Sequence, residues 1–506
     1  MGVEMRGTWW VPGPREKHKL SGVLTVGEDG YATLDTDGST PLVAHWTSYG
    51  LVGKTEPATA AVVHGTASTG QAVTLLGVSG YGSSATYANA VVVGVWLDPQ
   101  DGQAAADLPV FCGIEVELEN LTEWAARSAL RRPLLRTPGP YTNLVLATYT
   151  TPPDSKAVLD DGTVVELLGS LQPSETRTSL ARTVTFTERV TVRITPTTLA
   201  SVNDLLGHVQ TVQRLLSFAV GRDCAVTSLE LRLPQEENGR PDPRAELHLP
   251  LWPHRDDTVK PVEARKMLFT LENIAFADVM LAWARQHARL QGPIAGLRGA
   301  RNGVLEGRLV SAATAAENLN RITNKSAVAM QKDTFALLRK TIFDAVEATE
   351  ELADCVPWLK DILVNRPTLE WRLLDLASSL PTAAVTELLV DDGAGGGPQL
   401  EECTAAWAWA TRKARNDIGH TSLPKATGSE GTVIALSATT VMVELALLQL
   451  LDFDEAHLVD VVQRRANAIA RQVSTTLVDL HRESGQSDSP VAGLASGDGD
   501  PQQSNS

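Results

Sequence analysis

The stretch Thr183-Val-Thr-Phe-Thr-Glu-Arg-Val-Thr-Val-Arg-Ile-Thr195, together with the segment after it, decides the fold class. It is rich in β-branched residues and roughly alternates apolar with polar side chains, which predicts a half-buried strand. After Pro196 the period changes, because apolar residues recur at helical spacing over residues 197–220 and Gly221 is placed to end that helix. The chain therefore mixes strands and helices.

The strand pattern continues towards the N-terminus, and the helical pattern continues towards the C-terminus. Before Pro196, short apolar runs alternate with turn signals such as Asp37-Gly38 and Asp161-Gly162, and residues 91–97 form a continuous apolar strand. From about Val262 the spacing is helical, with helices predicted over residues 263–290, 304–322, 333–353, 369–380, 382–389, 400–419, 433–451 and 454–482. We expect an α+β multidomain protein with a β-rich N-terminal domain (1–260), an all-α helical bundle (261–482) and a disordered tail (483–506).

Length and composition restrict the class of protein. The 506 residues, 43% hydrophobic and 21% charged, exceed what one core holds. No run approaches the roughly 18 apolar residues of a membrane span, and the N-terminus does not read as a secretory signal. The four cysteines lie far apart and form no Cys-x-x-Cys pair, which favours a reducing compartment. We expect a cytoplasmic protein without membrane contact.

The charge distribution points to one segment. The formal net charge is −16, which disfavours broad attraction to nucleic acid. Residues 405–425 reverse that sign, because Arg412, Lys413, Arg415 and Lys425 stand against Asp417 alone. A local field of this kind can still hold a phosphate backbone, so Arg412 and Lys413 are candidate RNA-binding residues.

The segment holds the motif Arg415-Asn-Asp-Ile-Gly-His420 near the end of a predicted helix. On a helix Arg412, Asn416 and His420 share one face, and we expect Gly419 to end the helix and free His420 to turn towards a cleft. An imidazole exchanges protons near neutral pH, whereas a guanidinium grips phosphate oxygens through two donors. These groups suit RNA cleavage by the 2′-hydroxyl without metal.

A structural interpretation of the same residues competes with the chemical one. Asn416 can make a local hydrogen bond, and the basic residues can complement the C-terminal end of the helix dipole. Trp407 and Trp409 cannot share a face, so we expect one in the core and the other at a dimer interface. The histidines show no ligand spacing, and we expect neither a metal nor a cofactor.

The motif Arg-Asn-x3-His late in a helical domain resembles the HEPN superfamily of ribonucleases and nucleotide-binding domains. Upstream, Leu305-Glu-Gly-Arg-Leu-Val-Ser-Ala-Ala-Thr-Ala-Ala-Glu317 is similar to the first long helix of that family. The N-terminal Gly7-Thr-Trp-Trp-Val-Pro-Gly13, followed by Leu20-Ser-Gly-Val-Leu-Thr-Val26, resembles the opening of ApeA-type proteins. These are bacterial anti-phage proteins with a β-rich N-terminal domain and a C-terminal HEPN nuclease.

The resemblance implies a metal-independent endoribonuclease that cleaves cellular RNA, with tRNA among the candidates, in abortive anti-phage defence. Its cleft would lie between the HEPN domains of a homodimer, and a phage-derived trigger would act on the N-terminal domain. By the same resemblance Arg415 and His420 carry catalysis, Asn416 supports them, and Glu317 occupies the acidic position. Glu317 could equally be a buried partner for Arg415.

Two other functions stay open at this point. The first is a HEPN fold without turnover that binds nucleotide or RNA and uses the β domain for interactions. The second makes the N-terminal domain a carbohydrate-binding sandwich. Arg415 and His420 facing a dimer cleft would favour the nuclease, whereas salt-bridged and separated residues would favour the binding functions.

Overall fold

The computed structural model forms two compact units, residues 1–285 and 286–506. It describes residues 2–12, 19–37, 58–81, 85–98, 104–126, 130–131, 148–149, 155–180, 182–235, 242–250, 260–325, 328–391, 397–421, 427–466 and 469–484. Apart from Glu483 and Ser484, the predicted tail lies outside them. Lys425 and the central glycines of the Gly-rich segment 391–398 do so as well.

The first unit begins with a six-stranded antiparallel barrel. Its strands are β1 Val3–Trp10, β2 Leu20–Val26, β3 Ala32–Thr36, β4 Ala58–Ala67, β5 Ala72–Tyr81 and β6 Ala85–Val93. They pair in the order β1-β2-β3-β6-β5-β4, and β4 returns to β1. Inward residues such as Trp9, Leu24 and Val63 are fully buried and fill the interior. The barrel closes because β4 pairs with β1, and alternation along the strands turns apolar side chains inward.

The same sheet continues beyond the barrel from β6. It contains β7 Gly113–Leu118, β10 Ser155–Val158, β11 Val164–Arg177, β12 Arg182–Thr195, β13 Val226–Arg232 and β14 Arg244–His248, in the order β10-β11-β12-β7-β13-β14-β6. The strands β8 Leu130–Arg131 and β9 Thr148–Tyr149 form a separate pair, and a 3-10 turn spans Ala105–Asp107. The strand predicted over residues 183–195 is confirmed as β12.

Two helices connect to this sheet, α1 Leu121–Ala125 and α2 Val202–Val220. Ser201 caps α2, because its hydroxyl accepts from the Asp204 N–H while the Asp204 carboxylate accepts from the Ser201 N–H. Gly221 ends the helix with φ at 83°, a left-handed conformation that glycine adopts without a Cβ clash. The predicted end of this helix at Gly221 is confirmed.

The first unit extends beyond the boundary predicted at residue 260. The helix predicted over 263–290 is wrong in its first half, because α3 spans Phe276–Arg301 and only a 3-10 turn, Ala264–Lys266, precedes it. The apolar run before α3 is buried and not helical: the N–H of Leu268 donates to the Ala219 carbonyl. Further along, Trp283 Nε1 donates to the Thr211 carbonyl at 2.9 Å. These contacts bind the segment to the first unit.

The second unit is a helical bundle. After the last part of α3 come α4 Leu305–Thr323, α5 Lys332–Glu347, α6 Val356–Ile362, α7 Leu369–Ser378, α8 Thr382–Leu389, α9 Leu400–Thr421 and α10 Gly428–Leu450. They are followed by α11 Glu455–Ala466, α12 Ile469–Gln472, a π-helical turn Val473–Leu477 and α13 Val478–Glu483, with a 3-10 segment Glu350–Cys355 after α5. The predicted α+β architecture is confirmed, while the single helix predicted over 454–482 is divided.

The centre of the bundle is α10. By length and composition it could cross a membrane, with a mean hydropathy of 1.9, but 72% of its most apolar window is buried. Its one buried acid, Glu444, accepts from Arg301 Nη2 at 2.9 Å and lies 3.7 Å from Arg465 Nη2. This burial is typical of the core helix of a globular bundle.

Candidate active site

The predicted site residues other than Glu317 lie on α9. Glu401 and Glu402 occupy its first turn, where carboxylates complement the positive end of the helix dipole. The helix continues through Gly419 and His420 to Thr421. The prediction that Gly419 ends the helix is therefore wrong. Gly419 is exposed, and a Cβ there would meet nothing within 4 Å. The only cost of glycine at this position is its ordinary low helix propensity.

One face of α9 is fixed in the bundle core by hydrogen bonds. Trp407 Nε1 donates to Thr439 Oγ1 of α10 at 3.0 Å, and the Thr411 hydroxyl lies 3.1 Å from the same Thr439 oxygen. Trp407 and Trp409 are both buried, at 0% and 1% exposure, so the prediction of a dimer interface at one of them is wrong. These contacts anchor α9 to α10 in the bundle core.

The ring of Trp409 also contacts a histidine. Its centroid lies 5.4 Å from that of His481 on α13. Burial lowers the pKa of His481 below its ordinary value, which the nearby Glu370 and Glu402 carboxylates partly oppose. Sequence reasoning missed this residue, because nothing local in the sequence relates positions so far apart.

The C-terminal part of α9, beyond Thr411, is mainly polar and half-buried. It carries Arg412, Lys413, Arg415 and Asn416, and Arg415 Nη1 lies 3.5 Å from Asn416 Oδ1, the long limit of a hydrogen bond. His420 has a helical backbone and follows Asn416 by four residues, so both positions lie on one helical face. The His420 side chain lies outside the described part of the structure.

Arg412 is held by a neighbouring helix. Its Nε lies 2.6 Å from Oε2 of Glu370 on α7, and both side chains are about three-quarters buried, at 25% and 28% exposure. The Nε–H does not reach a hydrogen-bonding angle despite this short distance, so we treat the contact as an ion pair. The pair cross-links α7 and α9 one turn before Asn416.

Glu317 lies on α4 and is held by two arginines. Its Oε1 accepts from Arg321 Nη2 at 2.6 Å and lies 4.0 Å from Arg372 Nε of α7. Within the described residues the structure pairs Glu317 with these two cations and not with Arg415, the partner that the sequence suggested. Glu317 is 20% exposed.

A buried polar network continues from Glu317 between α4 and α7. Arg372 Nη1 donates to Asn320 Oδ1 at 3.1 Å, and the Asn320 and Asn324 amides donate to Asp375 Oδ2 at 2.6 and 3.0 Å. Burial lowers the pKa of Arg372, and the nearby Arg321 guanidinium lowers it further. Sequence reasoning missed these residues, although Glu317, Asn320, Arg321 and Asn324 recur at helical spacing and mark a polar stripe.

The described residues contain no group of three or more His, Cys, Asp or Glu side chains that could hold a metal ion. The donors gathered around α9 are guanidinium and amide groups, which bind oxyanions in preference to cations.

Comparison with known protein families gives two adjacent matches. Residues 4–283 match the model of ApeA N-terminal domain 1, and residues 310–457 match the model of the Apea-like HEPN domain. No curated protein and no solved structure matches the chain. The HEPN match contains Glu317 and the whole Arg415–His420 motif, and the N-terminal match ends close to the border of the first compact unit. The chain therefore belongs to the ApeA family, with an ApeA N-terminal domain followed by an Apea-like HEPN domain.

Proposed function

We propose that this protein is a metal-independent endoribonuclease that cleaves cellular RNA in abortive anti-phage defence. The observation that carries the proposal is the pairing of Arg415 with Asn416 on the polar C-terminal part of α9, within a domain of the HEPN family. HEPN domains are generally ribonuclease domains, which favours RNA as the substrate. tRNA is one candidate target.

In the proposed reaction the 2′-hydroxyl of the substrate attacks the adjacent phosphorus, and the bond from phosphorus to the 5′-oxygen breaks. His420 exchanges the protons that leave the 2′-oxygen and reach the 5′-oxygen, as a general base or general acid. Arg415 neutralises the charge that develops on the phosphoryl oxygens. Asn416 lies beside Arg415 and orients its guanidinium. The products are a 2′,3′-cyclic phosphate and a 5′-hydroxyl.

The remaining site residues take supporting roles in this proposal. Lys413 and Arg412 lie two and three residues before Arg415 on α9 and would contact the RNA backbone. Glu317 would act as a positioning residue through Arg321 and Arg372. The cleft would be completed by the HEPN domain of a second copy in a cytoplasmic homodimer, and a phage-derived trigger would reach the N-terminal domain.

A binding function without turnover is the second candidate. The ion pairs of Arg412 with Glu370 and of Glu317 with Arg321 and Arg372 favour it, because each stabilises the bundle without any substrate. A HEPN domain of this kind would recognise nucleotide or RNA and leave it intact.

Substitutions at the motif separate these functions. Arg415→Ala and His420→Ala should each abolish RNA cleavage and any growth arrest, while the free energy of unfolding falls by no more than about 1 kcal/mol. Arg415→Lys should also be impaired, since an ammonium cannot replace the bidentate grip on phosphate. Cleavage assays and denaturant unfolding of the same preparations measure both effects. A loss of roughly 3 kcal/mol or more in each variant would make the motif a structural latch and favour the binding function.

A further inference from the structure

The hairpin of β11 and β12 extends beyond the strands that flank it. Among the described strands, β10 pairs with β11 only as far as Leu167, and β7 pairs with β12 only from Val192. Residues 168–177 and 182–191, here called the hairpin arm, pair with each other in unbroken register. A two-stranded ribbon is marginally stable in water by itself. The hairpin arm would therefore be stabilised by strands added from another chain.

One face of the hairpin arm carries exposed apolar side chains. The face that buries Val190 and Val192 in the sheet continues outward through Glu188, Phe186 and Val184, and the exposures of Phe186 and Val184 are 43% and 49%. Pro173 lies opposite Phe186 on this face. The other face is polar and carries mainly Ser, Thr and Gln. Phe186, Val184 and Pro173 therefore form a small apolar patch on a face that also carries Glu188.

The two edges of the hairpin arm differ. The N–H of Val190 donates outward to Thr122 Oγ1 at 3.2 Å and so points away from β11. By alternation the backbone groups of residues 184, 186 and 188 also point outward from β12. On the other edge Pro173 carries no N–H, and proline is a usual means of blocking an edge strand. A second chain can therefore add to the β12 edge more readily than to the β11 edge.

The sequence of that edge is complementary to itself. In Arg182-Thr-Val-Thr-Phe-Thr-Glu188, an antiparallel pairing about Thr185 sets Arg182 opposite Glu188, Thr183 opposite Thr187, and Val184 opposite Phe186. Opposite charges, hydroxyl pairs and apolar pairs are the combinations that stabilise neighbouring strands. The outward groups of residues 184 and 186 then form the hydrogen-bonded pairs.

We propose that two copies of this chain associate through their β12 edges, antiparallel about a two-fold axis at Thr185. The interface is isologous, since each residue meets its complement from the other copy. It joins two hairpin arms into a four-stranded ribbon and brings the Val184 and Phe186 side chains of the copies together. The interface belongs to the N-terminal unit, so it does not depend on the proposed nuclease or on a HEPN dimer.

Cysteine cross-linking of the full-length protein tests the register. In the proposed interface the two Thr185 Cα atoms form a non-hydrogen-bonded pair roughly 4.5 Å apart, within the range that a disulfide bridges. The two Thr187 Cα atoms lie roughly 13 Å apart. In a Cys355→Ser background, which removes an exposed native thiol, Thr185→Cys should form disulfide-linked dimers at least 10-fold faster than Thr187→Cys.

Charge reversal gives the second measurement. Glu188→Arg should slow the cross-linking of Thr185→Cys several-fold, because it sets arginine opposite Arg182, and adding Arg182→Glu should restore the rate. Equal rates for Thr185→Cys and Thr187→Cys would overturn the proposal, as would cross-linking that Glu188→Arg leaves unchanged. A cross-link that forms with an unrelated protein but not with a second copy would also overturn it.

Discussion

Arg412 shows at the residue scale how a basic side chain near the motif can serve structure or substrate. Its guanidinium lies 2.6 Å from the Glu370 carboxylate, and this contact joins α9 to α7. An RNA phosphate could bind the Arg412 guanidinium only by replacing the Glu370 carboxylate. Lys413, the next residue along α9, has a different direction on the helix and serves as a matched comparison.

A double-mutant cycle on Arg412 and Glu370 distinguishes the roles. If the pair is structural, Arg412→Ala and Glu370→Ala should show a coupling energy of about 0.5–1 kcal/mol in urea unfolding, the range for partly exposed ion pairs. RNA cleavage by Arg412→Ala would then keep its KM. A several-fold rise in KM for Arg412→Ala, matched by Lys413→Ala and absent in Glu370→Ala, would instead make Arg412 an RNA-binding residue.

At the scale of the element, the motif is part of a helix that does not stop at its glycine. Gly419 lies two residues before the end of α9 and is exposed. Gly221, by contrast, closes α2 with φ at 83°. The two glycines share a sequence pattern, a helical stripe followed by glycine, but only one of them serves as a cap.

Alanine substitution at the two glycines should give opposite results. Gly419→Ala should raise the free energy of unfolding by about 0.5–1 kcal/mol, because it removes the entropy cost of glycine within a helix. Gly221→Ala should lower it by about 1–2 kcal/mol, since an alanine is strained in the left-handed region. Denaturant unfolding of each variant measures the change. Destabilisation by Gly419→Ala would restore the interpretation of Gly419 as a helix end.

The sequence predicts elements better than it predicts partners. The alternation of residues 183–195 and the stripe of α2 are local, and both elements form as expected. The run Met267-Leu-Phe-Thr-Leu271 looks helical, yet tertiary contacts hold it as a buried segment that is not helical. Arg412 pairs with Glu370 on α7. One of the two arginines that contact Glu317, Arg372, also lies on α7. Such pairings depend on the packing of distant helices, which one sequence does not encode locally.

At the scale of the whole molecule, the first compact unit needs the segment that leads into α3. Leu268, Phe269 and Trp283 are at most 1% exposed, and burial of each large apolar side chain contributes roughly 1.5–3 kcal/mol. The boundary predicted at residue 260 would leave this segment outside its unit. The family match to residue 283 agrees with the longer unit.

Truncation tests the extent of the unit. A fragment of residues 1–285 should unfold cooperatively, whereas a fragment of residues 1–260 should lack a cooperative transition, because it loses the three buried side chains together. Thermal unfolding followed by circular dichroism distinguishes the two fragments. A cooperative transition of similar midpoint in the shorter fragment would place the boundary where the sequence suggested.

In the proposed function the protein cuts RNA with its own side chains and the 2′-hydroxyl of the substrate. The most direct measurement is incubation of the purified protein with total cellular RNA in EDTA, followed by mapping of the new ends. The proposed mechanism predicts cleavage in EDTA with 2′,3′-cyclic phosphate and 5′-hydroxyl ends, and none with Arg415→Ala. Strict dependence on Mg²⁺ or Mn²⁺, or equal cleavage of DNA, which has no 2′-hydroxyl, would contradict it.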